Sequence, residues 1–211
     1  LFNVLTGMLA PNAGQVLFNG QDVTGFAPDR LFAHGMGRTF QIPRPFKRMS
    51  VLENVMLAPL AQIGERLGGP FLNRAKMRDQ EDQIRAKANE VLEFVTLHKL
   101  ADQAAGQISG GQMKLLELAR ILMGDPSLIL LDEPAAGVNP TLTKLLIEKI
   151  EELNRGGKTF VIIEHDMELI MQHCDPVIAM AEGRAVFQGT PQEAQANTQL
   201  LDAYLGAPMD A

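Results

Sequence analysis

The hydrophobic positions of this 211-residue chain change period along its length. Residues 1–9 have the spacing of a helix, stopped near Pro11 and Gly14. Gln15-Val16-Leu17-Phe18 followed by Asn19-Gly20 predicts a strand entering a tight turn, with a second short strand after it. Pro43 and Pro45 mark an irregular stretch after Thr39-Phe40-Gln41. Ser50-Val51-Leu52-Glu53 has capping-box spacing and predicts a helix carrying Val55, Met56 and Leu57. Residues 64–70 read as a loop. Residues 74–97 read as a charged helix, with Ile84, Ala88, Val91, Leu92 and Val95 near helical spacing. Residues 52–125 are therefore expected to be mostly helix.

The pattern then changes. Residues 128–131 (Leu-Ile-Leu-Leu) and 159–163 (Thr-Phe-Val-Ile-Ile) are short continuous apolar runs, which suit strands buried on both faces. Residues 142–153 between them are amphipathic, and Gly156-Gly157 closes them. Strand, helix, strand is the unit of a parallel sheet. Residues 177–180 and 185–187 predict strands flanking a Glu182-Gly183 turn. Thr190-Pro191-Gln192-Glu193 is a helix start: the threonine caps, the proline takes the first helical position and the glutamate reaches back.

Composition narrows the field. The chain is 46% hydrophobic and 21% charged, as expected of one globular domain over residues 1–211. Its net charge is −6, with no basic tract, which disfavours a nucleic-acid partner. The single cysteine, Cys174, allows no internal disulfide and suits a reducing cytosol. No apolar run approaches the roughly 18 residues a membrane span needs.

Four features carry chemistry. Asp132-Glu133-Pro134 ends the apolar run of residues 128–131. At the carboxyl end of a buried strand, Asp132 can hold Mg²⁺ and Glu133 can orient and deprotonate an attacking water. The plainer reading is a strand ending in polar turn residues. Ile108-Ser109-Gly110-Gly111-Gln112 precedes a helix with an apolar side. Ser109 can cap that helix or bind phosphate, and Gly110 and Gly111 let backbone N–H groups approach an anion. In isolation this is an ordinary turn before a helix. His165 follows residues 159–163, where a histidine can touch a γ-phosphate and hold the attacking water; a lone histidine is more often a solvated loop residue. Gln41 can contact Mg²⁺ or its water through its amide.

Taken in order, Gln41, residues 109–112, residues 128–133, Ala135-Ala136-Gly137-Val138-Asn139-Pro140 and His165 resemble the Q-loop, signature, Walker B, D-loop and switch histidine of ABC-type ATPases. The resemblance covers nearly the whole chain. More narrowly, Gly37-Arg38-Thr39-Phe40-Gln41-Ile42-Pro43-Arg44-Pro45-Phe46 and Met49-Ser50-Val51-Leu52-Glu53-Asn54-Val55 look like the ATP-binding subunits of bacterial branched-chain amino acid importers, the LivG type. Ala135-Ala136-Gly137-Val138-Asn139-Pro140, Ile163-Glu164-His165-Asp166-Met167 and the ending Ala203-Tyr204-Leu205-Gly206-Ala207 are similar to that group too. The resemblance implies an α/β P-loop NTPase-like (RecA-like) core with a parallel sheet, a partial antiparallel β subdomain, a helical subdomain near residues 52–125 and a C-terminal helical tail over 190–211.

It also implies an ATPase using ATP and Mg²⁺. Asp132 and Gln41 would serve the metal, and Glu133 would act as base. His165 would be the γ-phosphate switch, and Ser109, Gly110, Gly111 and Gln112 would contact the ATP of a partner subunit. The implied partners are a second, homologous ATP-binding subunit in a head-to-tail dimer, membrane permease subunits and, indirectly, a periplasmic binding protein. The implied location is peripheral, on the cytoplasmic face of the plasma (inner) membrane. By the same resemblance, residues 42–49 and the helical segment line the groove that receives a short permease helix.

One family motif is missing. The phosphate-binding G-x-x-x-x-G-K-[ST] loop does not occur. Gly156-Gly157-Lys158-Thr159 imitates its tail, but Glu152 stands where the first glycine would be, and a helix precedes it. It reads instead as a helix C-cap and strand start. In the family, Leu1-Phe2-Asn3 would fall just after the loop's threonines, and residues 1–7 look like a helix already under way. The chain is thus expected to be N-terminally truncated and inactive alone. Urea and lipopolysaccharide transport ATPases are near alternatives. A chromosome-associated ABC protein is disfavoured because residues 41–109 leave no room for a long coiled coil. A translation-associated one is disfavoured because only one signature is present.

Overall fold

The computed structural model describes residues 1–59, 62, 74–197 and 200, and these form two compact units. The larger runs from Phe2 to Val161; the smaller takes Ile162 onward together with Leu1.

In the larger unit the chain begins with a short helix α1 (Phe2–Leu5), shorter than the expected 1–9. It ends where Gly7 turns into the left-handed region at φ 69°. Strands β1 (Leu17–Phe18) and β2 (Gln21–Asp22) pair antiparallel across Asn19-Gly20, as the pattern predicts. Helix α2 (Pro28–Ala33) and strand β3 (Met36–Arg38) follow. Neither has a hydrophobic signature of its own, since β3 is Met-Gly-Arg. Pairing with a better strand defines it. It runs parallel to β4 (Leu128–Asp132), with Gly37 opposite Ile129.

Helix α3 (Val51–Met56) starts at a full capping box, in which Ser50 accepts from the Glu53 N–H and Glu53 accepts from the Ser50 N–H. It packs on α4 (Arg74–Phe94) and α5 (Gly110–Leu122), and α4 packs on α5. Their shared core includes Val51, Val55, Ala88, Leu92, Leu115 and Leu118, each nearly or fully buried. The loop expected at residues 64–70 lies outside the described residues.

Helix α6 (Pro140–Arg155) is capped by Asn139, whose side chain accepts from the Leu142 N–H. It leads into β5 (Thr159–Ile163), and the sheet order is β3-β4-β5. Strand β4 is buried at Ile129, Leu130 and Leu131, as a central parallel strand should be. Strand β5 departs from expectation. Its burial alternates, and Val161 and Ile163 are 39% and 38% exposed. A strand with one neighbour among the described strands is covered less completely than a central one. Gly156 caps α6, Gly157 adopts φ 94°, and Lys158 donates to Asp125 Oδ1 at 2.7 Å and to the Pro126 carbonyl. The Gly-Gly-Lys-Thr run is therefore a helix end tied to the loop before β4.

The smaller unit contains α7 (Met167–His173), an antiparallel pair β6 (Val177–Ala181) and β7 (Arg184–Gly189), and α8 (Pro191–Ala196). Thr190 and Glu193 form the expected capping box. Val177, Ala179, Ala194 and Leu200 make its core, with Ile170, Met171 and Phe187 against them. Beyond α8, the remainder of the expected 190–211 tail, apart from Asn197 and Leu200, lies outside the described residues, as does the Ala203–Ala207 ending.

Candidate functional site

The end of β4 and the loop after β3 meet because their strands are sheet neighbours. The Thr39 N–H donates to the Leu130 carbonyl at 2.9 Å, and Thr39 Oγ1 accepts from the Asp132 N–H at 3.2 Å. This carries the sheet pairing past β3 and brings residues 39–41 beside the two acids. Gln41 Nε2 then donates to Glu133 Oε2 at 2.7 Å. Two residues 92 positions apart in the chain share one hydrogen bond. Glu133 sits at φ 45°, a left-handed conformation that costs a non-glycine residue roughly 1–3 kcal/mol where its surroundings hold it.

Asp132 makes an ion pair with Arg38 at 3.2 Å, and the two side chains are 23% and 11% exposed. The same guanidinium donates to Asn3 Oδ1 at 2.7 Å and Thr6 Oγ1 at 2.9 Å. It lies near the rings of Phe2 and Phe40. Arg38 thus ties α1, β3 and the end of β4 together.

Residues 109–112 open α5. Ser109 Oγ accepts from the Gln112 N–H at 3.3 Å, and Gln112 Oε1 accepts from the Ser109 N–H at 2.8 Å. Both side chains serve the capping box; at the helix start Gly110 is exposed and Gly111 is buried. The two glycines differ. A side chain on Gly110 would meet nothing within 4 Å, whereas one on Gly111 would run into Leu142 and Val138. Gly110 therefore keeps a surface open, and Gly111 lets α5 pack closely on α6 and the loop before it.

The next turns of α5 reach the same place. Lys114 Nζ donates to the Gln41 carbonyl at 2.7 Å and the Glu133 carbonyl at 3.2 Å. Glu117 Oε1 accepts from the Phe40 N–H at 3.1 Å, while its Oε2 is buried without a hydrogen-bond partner. Burial holds the Glu117 carboxyl above its ordinary pKa; the Phe40 bond and the charges of Lys114 and Arg120 oppose this. Arg120 donates to the Arg44 carbonyl at 3.3 Å and lies over the Phe46 ring. Burial lowers its pKa, against the attraction of Glu117. The apolar side of α5 is legible in sequence. Its role as a polar anchor is not, although three charges spaced three apart in an apolar helix are a signal that could have shown it.

Asn54 holds the far end of the same loop. It is fully buried; its Oδ1 accepts from the Phe46 N–H at 2.8 Å, and its Nδ2 donates to the Phe46 and Ser50 carbonyls. Main-chain bonds from Val51 to Gln103 and from Ala105 to Met49 pin this loop to the segment before α5. His165 belongs to the smaller unit and is exposed, just before the Asp166 cap of α7.

Of the expected site residues, the larger unit brings together Gln41, Asp132 and Glu133, and α5 links residues 109–112 to them through Lys114. For a divalent ion, the donor set is the Asp132 carboxylate and the Gln41 amide. These are hard oxygen ligands of the kind Mg²⁺ takes in ones and twos alongside phosphate oxygens and water, so the residues fit the ion. Among the described residues no three His, Cys, Asp or Glu side chains gather into a self-sufficient metal cage.

A parallel sheet with acids at a strand's carboxyl end, a helix-start glycine pair and a glutamine loop defines an α/β fold of the P-loop NTPase type. A family model described as ABC transporter matches residues 1–136, and the chain belongs to that family. The "Probable branched-chain amino acid transport ATP-binding protein LivG" of Archaeoglobus fulgidus is 39% identical over 205 residues, covering 97% of this chain and 79% of that protein. The "High-affinity branched-chain amino acid transport ATP-binding protein LivG" of Escherichia coli K12 is 35% identical over 207 residues, covering 98% and 81%. An ATP-binding cassette of an ABC transporter, solved in its ADP conformation, superposes with a TM-score of 0.80 at 36% identity, covering 97% of this chain and 82% of its own. CbiO1 from Clostridium perfringens, part of a cbiONQ transporter complex, superposes at 0.76 with 26% identity, covering 99% and 78%.

Proposed function

We propose that this chain is the ATP-hydrolysing subunit of a membrane importer for branched-chain amino acids. The observation that carries it is the Gln41–Glu133 hydrogen bond at the carboxyl end of β4, beside Asp132, in a chain whose relatives are named LivG. Glu133 accepts a proton from water and orients it for attack. Asp132 and the Gln41 amide would hold Mg²⁺, which would neutralise charge on the phosphates. Gln41 also touches Glu133 itself, so a shift of residues 40–46 moves the base. Residues 109–112 present the α5 helix start to the nucleotide of a second ATP-binding subunit. His165 contacts the γ-phosphate.

The partner reading draws on the surface around the same loop. Ile42 and Phe46 are 71% and 53% exposed. A groove of about 320 Å³ lies nearby between α3 and α4, lined by Met49, Met56, Leu57, Met77 and Ile84 together with Glu53, Glu81 and Arg85. Flexible methionines suit an apolar helix, as a permease subunit would offer. From its likeness to ATP-binding subunits of transporters, we place the chain peripherally, on the cytoplasmic face of the plasma (inner) membrane, held by the permease.

The deciding experiment is turnover in the full-length protein assembled with its permease subunits. Glu133→Gln should retain ATP and lower kcat at least about a hundredfold. Near-normal turnover would remove Glu133 as the base. Residues 1–211 alone, lacking a G-x-x-x-x-G-K-[ST] run, should hydrolyse nothing. Uptake of labelled leucine against labelled urea by the assembled system separates the two transport readings.

A further inference from the structure

Lys114, Glu117 and Arg120 occupy successive turns of an otherwise apolar helix, and all three reach the segment 40–46. Lys114 goes further than the other two. Its ammonium lies on two main-chain carbonyls at once, those of Gln41 at 2.7 Å and Glu133 at 3.2 Å. The residue is only 7% exposed. Burying an ammonium is costly unless acceptors meet its protons, and here two of them come from the residues proposed to act on water. The Glu133 carbonyl also accepts from the Ala136 N–H at 3.2 Å.

We propose that Lys114 is a positioning residue: by gripping both carbonyls it fixes the backbone of Gln41 against that of Glu133, and so the distance between their side chains. The proposal rests on the reading of Glu133 as the base. Two features of the structure support it. The Gln41–Glu133 hydrogen bond joins two side chains whose backbones belong to different loops, so something must set the gap between those loops. Glu133 is also held at a φ that a glutamate does not choose unaided, and Lys114 is an anchor on its own carbonyl. Because Lys114 belongs to the helix that begins with residues 109–112, a movement of that helix start is passed to both catalytic loops through one side chain.

The test uses Lys114→Met, which keeps the stem and removes the donors, and Lys114→Gln, which keeps two N–H donors on a shorter arm. In the full-length protein without nucleotide, hydrogen exchange at the Phe40 and Ala136 amides should quicken about tenfold in Lys114→Met, with residues 115–122 unchanged. In the assembled transporter kcat should fall about 10- to 100-fold while KM for ATP stays within about threefold. Lys114→Gln should recover part of both effects, and it carries the same readouts should the methionine variant fail to fold. Unchanged exchange at those two amides, or exchange that rises uniformly through residues 115–122, overturns the proposal. So does a kcat within about twofold of wild type beside an inactive Glu133→Gln. If Glu133→Gln itself turns over normally, the reading of the base fails and this proposal fails with it.

Discussion

At Gly111 an added Cβ would stand 2.6 Å from Leu142 Cδ1 and 2.9 Å from Val138 Cγ1, while at Gly110 it would meet open space. Gly111→Ala should therefore overpack the α5–α6 contact and cost about 1–3 kcal/mol in denaturant unfolding. Gly110→Ala should leave stability within about 1 kcal/mol yet impair turnover of the assembled dimer, because its methyl would occupy the surface proposed for the partner's nucleotide. Equal stability losses would sink this division. Glu117 has a pH signature. Burial raises its pKa, so the native state keeps a proton that the unfolded chain has released. Its contribution to stability is complete below the ordinary value, about 4.3, and is lost as pH rises through the raised one. Glu117→Gln still accepts from the Phe40 N–H and does not ionise. The melting temperature of Glu117→Gln minus that of wild type should climb as pH rises from 4 through neutrality. A difference that stays flat or falls would show that Lys114 and Arg120 outweigh burial.

Among the elements, the loop between β3 and α3 depends most on partners distant in sequence. Its first residues hang on β4 and α5, and its last on Asn54. Asn54→Ala removes a buried amide and leaves the Phe46 peptide without its partners; it should cost about 1–3 kcal/mol, read as a shift in the urea midpoint at unchanged m. A loss under about 0.5 kcal/mol would mean that water replaces the amide. Strands and helices with strong local signals, such as β4, α4, α6 and the capping boxes at Ser50, Ser109 and Thr190, are legible in the sequence. Local chemistry alone stabilises their ends. Helices α2 and α7 and strand β3 are not legible. Two of them are short helices, and β3 is a Met-Gly-Arg segment that becomes a strand only because β4 offers it a ladder of hydrogen bonds.

At the scale of the whole molecule, an exposed aromatic beside a methionine-rich groove is the surface a partner would use. Phe46 is 53% exposed and rests on Arg120 from one side. Phe46→Asp should leave the melting temperature within a few degrees and abolish co-purification with the permease subunits. Intact assembly would reduce residues 42–49 to a loop shaped by its prolines. What the sequence by itself determined is the order of the motifs and the kind of chemistry they serve: a strand ending in Asp132-Glu133, a glycine pair capped by Ser109, and the family that joins them. Those follow from spacing and local backbone physics, which act over a few residues. Only the tertiary structure decided that Gln41 touches Glu133, that Arg38 pairs with Asp132, and that Lys114 and Glu117 turn inward from an apolar helix. Each of those contacts spans many residues of chain, and a buried charge reveals its reason only when its partner is in view.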